Sequence, residues 1–423
     1  MEKWVFFDLD GTLTRSEEGI WNCARYAARR MGFPEPGEEA LKQWIGPPLL
    51  WSFQHLMGMT EDQAREAQRI YRERYITVGK YENRVYPGIR NLLRALRKEG
   101  ARLGVVTGKP EEASRDILAH FGLWKFMEAI ACATDARAEK DHLIRSVMPA
   151  GEAEVWMVGD RRFDIEGGRN AGVHTLGVTW GYGSEEELRT AGAERIAHTP
   201  WEAAGILCPE AEKPRGAFLS MEGLDGSGKS TQMERLTDAL DRYGFEVTHS
   251  REPGGTPIGE KIRELLLSRD NTGMTDVTEA LLYAASRAQH VRERIRPALA
   301  DGKVLLCDRY LDSSVAYQGG GRRLGVDRVL AINSEAVEET LPLATVYLDL
   351  DHRTSLQRRS AAGELDRLEI EKEDFHARVE EGYRELISRH PERYIVVDAR
   401  GSREEIAKVI ADRVLERLMA EEL

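Results

Sequence analysis

Asp8 and Asp10, in Asp8-Leu-Asp10-Gly-Thr12, stand two residues apart at the end of a short apolar run. On an extended chain they would face opposite sides, but a turn at Gly11 can bring both carboxylates to one phosphorus. One can then attack as nucleophile while the other protonates the leaving oxygen and later activates water. Three later segments supply what such a pair lacks. Thr107, in Val105-Val-Thr107-Gly108, offers a small hydroxyl for a phosphoryl oxygen, and Lys140 offers a positive charge. Gly159-Asp160-Arg-Arg-Phe-Asp164 adds two more carboxylates. Carboxylates alone repel a phosphate dianion, so the set calls for a divalent cation held by Asp8 and Asp160, with Asp10 and Asp164 in the same metal group. Singly, each aspartate could be a helix cap or turn residue, Asp164 most of all, and Lys140 could be a solvated lysine. Their order, each after a strand-like run, is what favours phosphoryl chemistry.

A second phosphate-handling set lies in the other half of the chain. Gly223-Leu-Asp225-Gly226-Ser227-Gly228-Lys229-Ser230-Thr231 has the GxxxxGK[ST] spacing between a predicted strand and a predicted helix. Its backbone amides can cradle the phosphates of ATP, Lys229 can span the β- and γ-phosphates, and Ser230 can help hold Mg2+. Arg251, in Arg251-Glu-Pro-Gly-Gly-Thr256, and Arg309, in Asp308-Arg309-Tyr310, follow the next two strand-like runs, where a guanidinium suits a phosphate acceptor. Tyr283 and Arg287 are four apart on a predicted helix and share a face, so a ring can stack on a base while a guanidinium meets its carbonyl edge.

The elements that must position these groups alternate short apolar runs with helical patterns, which predicts parallel sheets flanked by helices in both halves. Predicted strands are Trp4–Asp8, Arg102–Thr107, Ala129–Ala131, Val155–Val158 and Thr175–Val178, then 217–222, 245–250, 303–307, 344–349 and 394–397. The longest predicted helix runs from Val277 to Leu299. No strand is expected between Thr14 and Arg84, which reads as a helical insertion broken at 32–37 and at Gly46-Pro-Pro48. Two prolines among charges, within 208–216, mark a linker between domains at 1–207 and 217–423.

Composition limits the partners. A net charge of −12 argues against a nucleic-acid backbone, and no apolar run approaches the ~18 residues of a membrane helix. The first residues put carboxylates into their only apolar stretch, unlike a signal peptide, and four cysteines without a CxxC pair suit reduced thiols. A cytoplasmic protein is expected.

The four motifs of residues 1–207 resemble the haloacid dehalogenase superfamily of phosphatases. The resemblance implies a Rossmann-like fold with a small helical cap at 14–84 and hydrolysis of a phosphate monoester through a phosphoaspartate at Asp8. It makes Asp10 the general acid/base, Thr107 and Lys140 the phosphoryl ligands, and Asp160 the magnesium ligand. Ile45-Gly-Pro-Pro-Leu49 resembles a cap substrate loop, and Trp180-Gly-Tyr-Gly-Ser-Glu-Glu-Glu-Leu188 is similar to relatives of phosphoglycolate phosphatase and 5′-nucleotidases. The substrate stays open between a nucleoside monophosphate and phosphoglycolate, and a non-catalytic nucleotide-sensing module is the alternative.

Residues 217–423 resemble thymidylate kinase, through the P-loop, Arg251-Glu-Pro-Gly-Gly255, Tyr283-Ala-Ala-Ser-Arg287, Asp308-Arg-Tyr310, Ala316-Tyr-Gln-Gly-Gly320 and Gly363-Glu-Leu-Asp-Arg367. That resemblance implies a P-loop nucleoside-monophosphate kinase fold with a parallel sheet, ATP and dTMP as substrates, Mg2+, and a homodimer. It places Asp225 near the deoxyribose 3′-hydroxyl, Arg309 on the acceptor phosphate, Tyr283 and Arg287 on thymine, Ser314, Tyr317 and Gln318 along the same pocket, and Asp308 at the metal. One subgroup has a catalytic arginine where this chain has Gly226, and some relatives have a basic residue at Ala362. The charge should then come from Arg358 or Arg359. A kinase for another monophosphate, such as uridylate, is the rival.

Overall fold

The computed structural model describes residues 2–45, 49–134, 139–360 and 366–421. Gly46-Pro-Pro48, Ala362 and Gly363–Leu365 lie outside the described residues. The chain forms two compact units, one of residues 1–212 with 242–244 and one of 213–241 with 245–423.

The first unit is built on β1 (Glu2–Phe7), β4 (Arg102–Thr107), β5 (Met127–Cys132), β6 (Ala153–Gly159), β7 (His174–Val178) and β8 (Arg195–Ala197). They form one parallel sheet in the order β5-β4-β1-β6-β7-β8. Val5, Phe6 and Phe7 are fully buried, as a central strand covered on both faces requires. The strand order reverses between β1 and β6, so the crevice at their carboxyl ends is a topological switch point, and Asp8 and Asp160 follow those two strands. The Asp8 N–H still donates to Val158 O at 2.9 Å, extending the ladder into the site.

The stretch between the predicted helical-insertion boundaries is not wholly helical. Thr14–Arg15 (β2) and Arg84–Val85 (β3) pair as a two-residue antiparallel ribbon, too short to show a strand pattern in sequence. It clamps the two ends of the helical cap, whose helices Glu17–Arg30, Leu49–His55 and Glu61–Arg74 gather Trp44, Phe53, Tyr71 and Cys23 into one core, which Ala113 and Tyr182 from outside the cap also join.

The second unit carries β9 (Ala217–Gly223), β10 (Val247–Arg251), β11 (Val304–Asp308), β12 (Ala344–Asp349) and β13 (Tyr394–Asp398) in the parallel order β10-β11-β9-β12-β13. All seven residues of β9 are buried. It is flanked by β11 and β12, so the loop that follows it opens at the centre of the sheet. The long predicted helix is Asp276–His290 continued by a π turn at Val291–Ile295 and by Arg296–Ala300, where Pro297 sits just inside the last segment. No helix among the described residues is long and apolar enough to cross a membrane, and all four cysteines are free.

Candidate active sites

In the first unit the carboxylates of Asp8, Asp160 and Asp164 converge, each offering an oxygen within 4.8 Å of the others, and all three are buried. Lys140, at the start of a helix after the β5 loop, reaches Asp8 Oδ1 at 2.5 Å and Asp164 Oδ1 at 2.6 Å. Three carboxylates around one ammonium leave an excess of negative charge and only oxygen donors, which is the chemistry of a Mg2+ site. Thr12 Oγ1 and the Tyr182 N–H donate to the two oxygens of Asp160 at 3.1 and 2.8 Å, fixing its orientation. Gly11 has φ 93°, and a Cβ there would lie 2.2 Å from Asp160 Oδ2, so the turn that redirects Asp10 needs glycine twice over.

Asp10 does not join the three converging carboxylates. Its Oδ2 pairs with Lys109 Nζ at 2.8 Å, while Oδ1 is buried without a partner. Lys109 also donates to the Tyr75 hydroxyl at 2.5 Å, and its N–H donates to Thr107 Oγ1 at 3.2 Å. This lysine therefore ties the expected acid/base to the cap. Sequence reasoning passed over it, although a cation two residues beyond Thr107 at a strand end was a usable signal. The Trp180–Leu188 segment packs against the Asp160 side of the carboxylate cluster. Trp180 Nε1 donates to Thr12 O at 3.0 Å, and the Tyr182 hydroxyl donates to Glu17 Oε2 at 2.6 Å. Of Ile45-Gly-Pro-Pro-Leu49, Ile45 and Leu49 are described, and Ile45 O accepts from Arg161 Nη1 at 3.0 Å.

Burial pushes the Asp8 carboxyl up to about 8, with Lys140 offsetting only part of it, and pushes Asp160 up to about 7, helped by Asp164. Both folded values exceed the unfolded value of about 3.9, so the folded chain holds protons that the unfolded chain has released. Without a divalent cation, the contribution of these two carboxyls to stability is fullest below pH ~4 and falls as the pH rises towards 8. Scanning calorimetry in EDTA should show a melting temperature that drops from pH 5 to pH 8. Mg2+ should restore it, more at pH 8 than at pH 5, because binding competes with protons. A flat profile would mean that the cluster is not charged in this way.

In the second unit one cavity of about 1040 Å³ is lined by Asp225–Thr231 and by Arg251, Tyr283, Arg287, Asp308, Arg309, Ser314, Tyr317, Gln318, Arg358 and Arg359. Of the site residues expected here from sequence, Gly223 alone is not on its wall. The volume exceeds what a single small ligand needs and suits two substrates end to end. Lys229 begins the helix after the P-loop, and its Nζ donates to Gly223 O and Leu224 O at 3.1 Å each. Arg309 has φ 68°, a left-handed conformation that costs a non-glycine residue about 1–2 kcal/mol. Its Nη2 meets Asp225 Oδ1 at 2.5 Å, and Tyr317 OH donates to Asp225 Oδ2 at 3.0 Å. Burial opposes the Asp225 charge, yet Arg309 and Lys229 hold its carboxyl well below the usual range. Asp308 Oδ1 is buried without a partner beside the P-loop, an orphan acceptor that fits a cation ligand.

Arg287 is 1% exposed and engages Glu252 Oε2 at 2.7 Å, Tyr310 O at 3.0 Å, Ser314 Oγ at 3.1 Å and Asn333, which leaves its Nε without a partner. Gln318 Nε2 donates to Glu279 at 2.9 Å, and because a carboxylate only accepts, this fixes the amide with Oε1 unpartnered. Gly226 is explained by close approach. A Cβ there would lie 2.7 Å from Ser355 O and 3.2 Å from Arg358 Cβ, so the helix His352–Ser360 packs where an arginine side chain would start. Arg359 is held by Glu369 at 2.6 and 3.0 Å, and Arg358 donates to Ala399 O at 3.2 Å. Arg251 pairs with Glu260 at 2.9 Å.

Two family models match separate stretches of the chain. Residues 221–410 match the family model described as thymidylate kinase, and residues 5–178 match that of haloacid dehalogenase-like hydrolase. The chain is 48% identical over 200 residues to a thymidylate kinase of Limosilactobacillus fermentum, covering 47% of this chain and 92% of that one. It is 44% identical over 191 residues to one of Bacillus velezensis, covering 45% and 90%. A solved structure described as a predicted phosphatase from Clostridium acetobutylicum is similar at 34% identity and TM-score 0.45, covering 49% of this chain and 99% of that one. A haloacid dehalogenase-like family protein from Streptococcus pneumoniae matches at 31% and 0.45, covering 48% and 98%.

Proposed function

Because this chain belongs to the thymidylate kinase family through its C-terminal half and carries a haloacid dehalogenase-like hydrolase domain in its N-terminal half, we propose that it transfers the γ-phosphoryl group of ATP to dTMP and separately hydrolyses a phosphate monoester through a phosphoaspartate at Asp8. The observation that carries the kinase reading is the single cavity joining the P-loop to Tyr283, Arg287 and Gln318. An unpartnered acceptor on Gln318 and an unpartnered donor on Arg287 match the N3–H and C4 carbonyl edge of thymine or uracil. Cytosine presents the reverse pattern, an acceptor at N3 and a donor at C4, and would leave both groups unpaired. Tyr283 stacks on the base, Arg309 holds the acceptor phosphate, and Asp225 with Tyr317 faces the sugar. Mg2+, which would be held by Ser230 and Asp308, neutralises developing phosphate charge when bound. Arg358, held by a neutral carbonyl where Arg359 is already paired with Glu369, is the better candidate for the transferring phosphoryl group.

In the hydrolase, Asp8 attacks phosphorus, Asp10 donates a proton to the leaving oxygen and later takes one from water, and Thr107 and Lys140 hold the phosphoryl oxygens. Mg2+ at Asp8, Asp160 and Asp164 would supply charge neutralisation there. The test is a pair of panels. ADP formation is followed with dTMP, dUMP, UMP and dCMP, and phosphate release with nucleoside monophosphates and phosphoglycolate. Preference for dCMP over dTMP would overturn the base-recognition reading, and no phosphate release from any substrate would leave the first half a regulatory module.

We also propose a homodimer through the kinase unit. Ile258 and Leu265 on the helix Pro257–Leu267, and Leu281 on the adjacent helix Asp276–His290, are each more than half exposed, an apolar surface of the kind that marks an interface. Leu281→Glu should convert the species seen by light scattering from dimer to monomer. A wild-type monomer at micromolar concentration would refute the assignment.

A further inference from the structure

Glu222 is the last side chain before the P-loop glycine, on the central strand β9, and it is completely buried. A buried carboxylate in a parallel core needs partners, and this one has three. Its Oε1 accepts the Tyr310 N–H at 2.7 Å, and its Oε2 accepts the Ser313 hydroxyl at 2.6 Å and the Tyr383 hydroxyl at 2.9 Å. All three donors lead to the same residue. Tyr310 directly follows Arg309, so Oε1 pins the peptide next to the left-handed turn. Ser313 Oγ and Tyr383 OH in turn accept from Arg309 Nη1 at 3.0 and 3.3 Å. Each hydroxyl has one proton, and with that proton directed to Glu222 its lone pairs face the guanidinium.

We infer that Glu222 is the positioning residue of the acceptor-phosphate site: one oxygen holds the strained backbone of Arg309, and the other orients two hydroxyls that fix one arm of its guanidinium. This rests on the reading of Arg309 as the acceptor-phosphate ligand. The opposite arm, Nη2, contacts Asp225 and Tyr317 at the cavity wall. With Nη1 held from inside the core, Nη2 can exchange partners towards a phosphate without the side chain losing its direction. A guanidinium pre-set in this way loses less conformational freedom on binding. Glu222 itself is not on the cavity wall, and its hydrogen bonds lead towards substrate through Arg309.

The experiment is steady-state kinetics of the full chain at pH 8, above the value of about 7 to which burial pushes the Glu222 carboxyl. Glu222→Gln turns one acceptor oxygen into a donor facing donors. It should raise the KM for dTMP about tenfold and leave the KM for ATP unchanged. Tyr383→Phe, which removes a single hydroxyl and keeps the ring, should raise the KM for dTMP about threefold and guards against a Glu222 variant that does not fold. Arg309→Ala should raise it about a hundredfold, and adding Glu222→Gln to Arg309→Ala should change it no further. If Arg309→Ala leaves the dTMP KM unaltered, the reading of Arg309 fails. If Arg309→Ala acts but Glu222→Gln and Tyr383→Phe do not, or if Glu222→Gln has its full effect without Arg309, the positioning role is wrong.

Discussion

The substitution Asp8→Asn is expected to lower phosphate release by about four powers of ten or more while leaving ADP formation with dTMP unchanged. The size follows from removing the atom that forms the covalent bond, since residues acting as a unit lose nearly all catalysis together. The selectivity follows from two units, each with its own sheet and core. The asparagine is close in shape to the aspartate and removes one of three charges from a cluster that Lys140 only partly balances. Because ionised Asp8 is disfavoured by burial, the variant should also melt higher than the parent in EDTA at pH 8. Lost activity in a more stable protein separates a chemical role from a structural one. Phosphate release within tenfold of the parent would show that Asp8 is not the nucleophile.

Lys229→Ala should lower the kcat for dTMP phosphorylation by about a hundredfold to a thousandfold, the range seen when one preorganised donor to a charged transition state is removed. In the structure the ammonium lies against two carbonyls of its own loop and 3.8 Å from Asp225 Oδ1. Burial, together with the nearby Arg309, lowers its pKa. Triphosphate oxygens would replace neutral acceptors with charged ones, so the gain on binding is large and its loss should be large too. Stability should change little, because water can enter the space that the removed side chain leaves beside the two carbonyls. The check is a coupled assay for ADP beside calorimetric titration with ATP. A kcat within fivefold of the parent would remove Lys229 from the transfer step.

Much of the site was legible because phosphate chemistry leaves short, ordered signatures at strand ends. The spacing of Gly223 to Thr231 specifies a loop whose amides point inward, whatever surrounds it. Every strand predicted from an apolar run is present, with bounds moved by a residue or two. What escaped notice was short or non-local. The ribbon of Thr14–Arg15 with Arg84–Val85 has too few residues for a period-two pattern, and Arg195–Ala197 is a three-residue edge strand. Lys109 and Glu222 belong to no motif used in the reading. A charged residue announces its role only when its partners do, and those partners, Tyr75 for one and Tyr383 for the other, lie 34 and 161 residues away.

The sequence by itself determined the two α/β halves, the order of their motifs and the residue types available for phosphoryl transfer, because these depend on local periodicity and on side-chain chemistry. Only the tertiary structure decided how those groups divide their work. It joined Asp8, Asp160 and Asp164 into one charged cluster and turned Asp10 away towards Lys109. It packed the helix His352–Ser360 against Gly226, which accounts for the glycine. It also set Arg309 between Asp225 on one side and the hydroxyls held by Glu222 on the other. Charge pairing and close approach act through space over a few ångströms, and such distances exist only after the strands have been laid side by side.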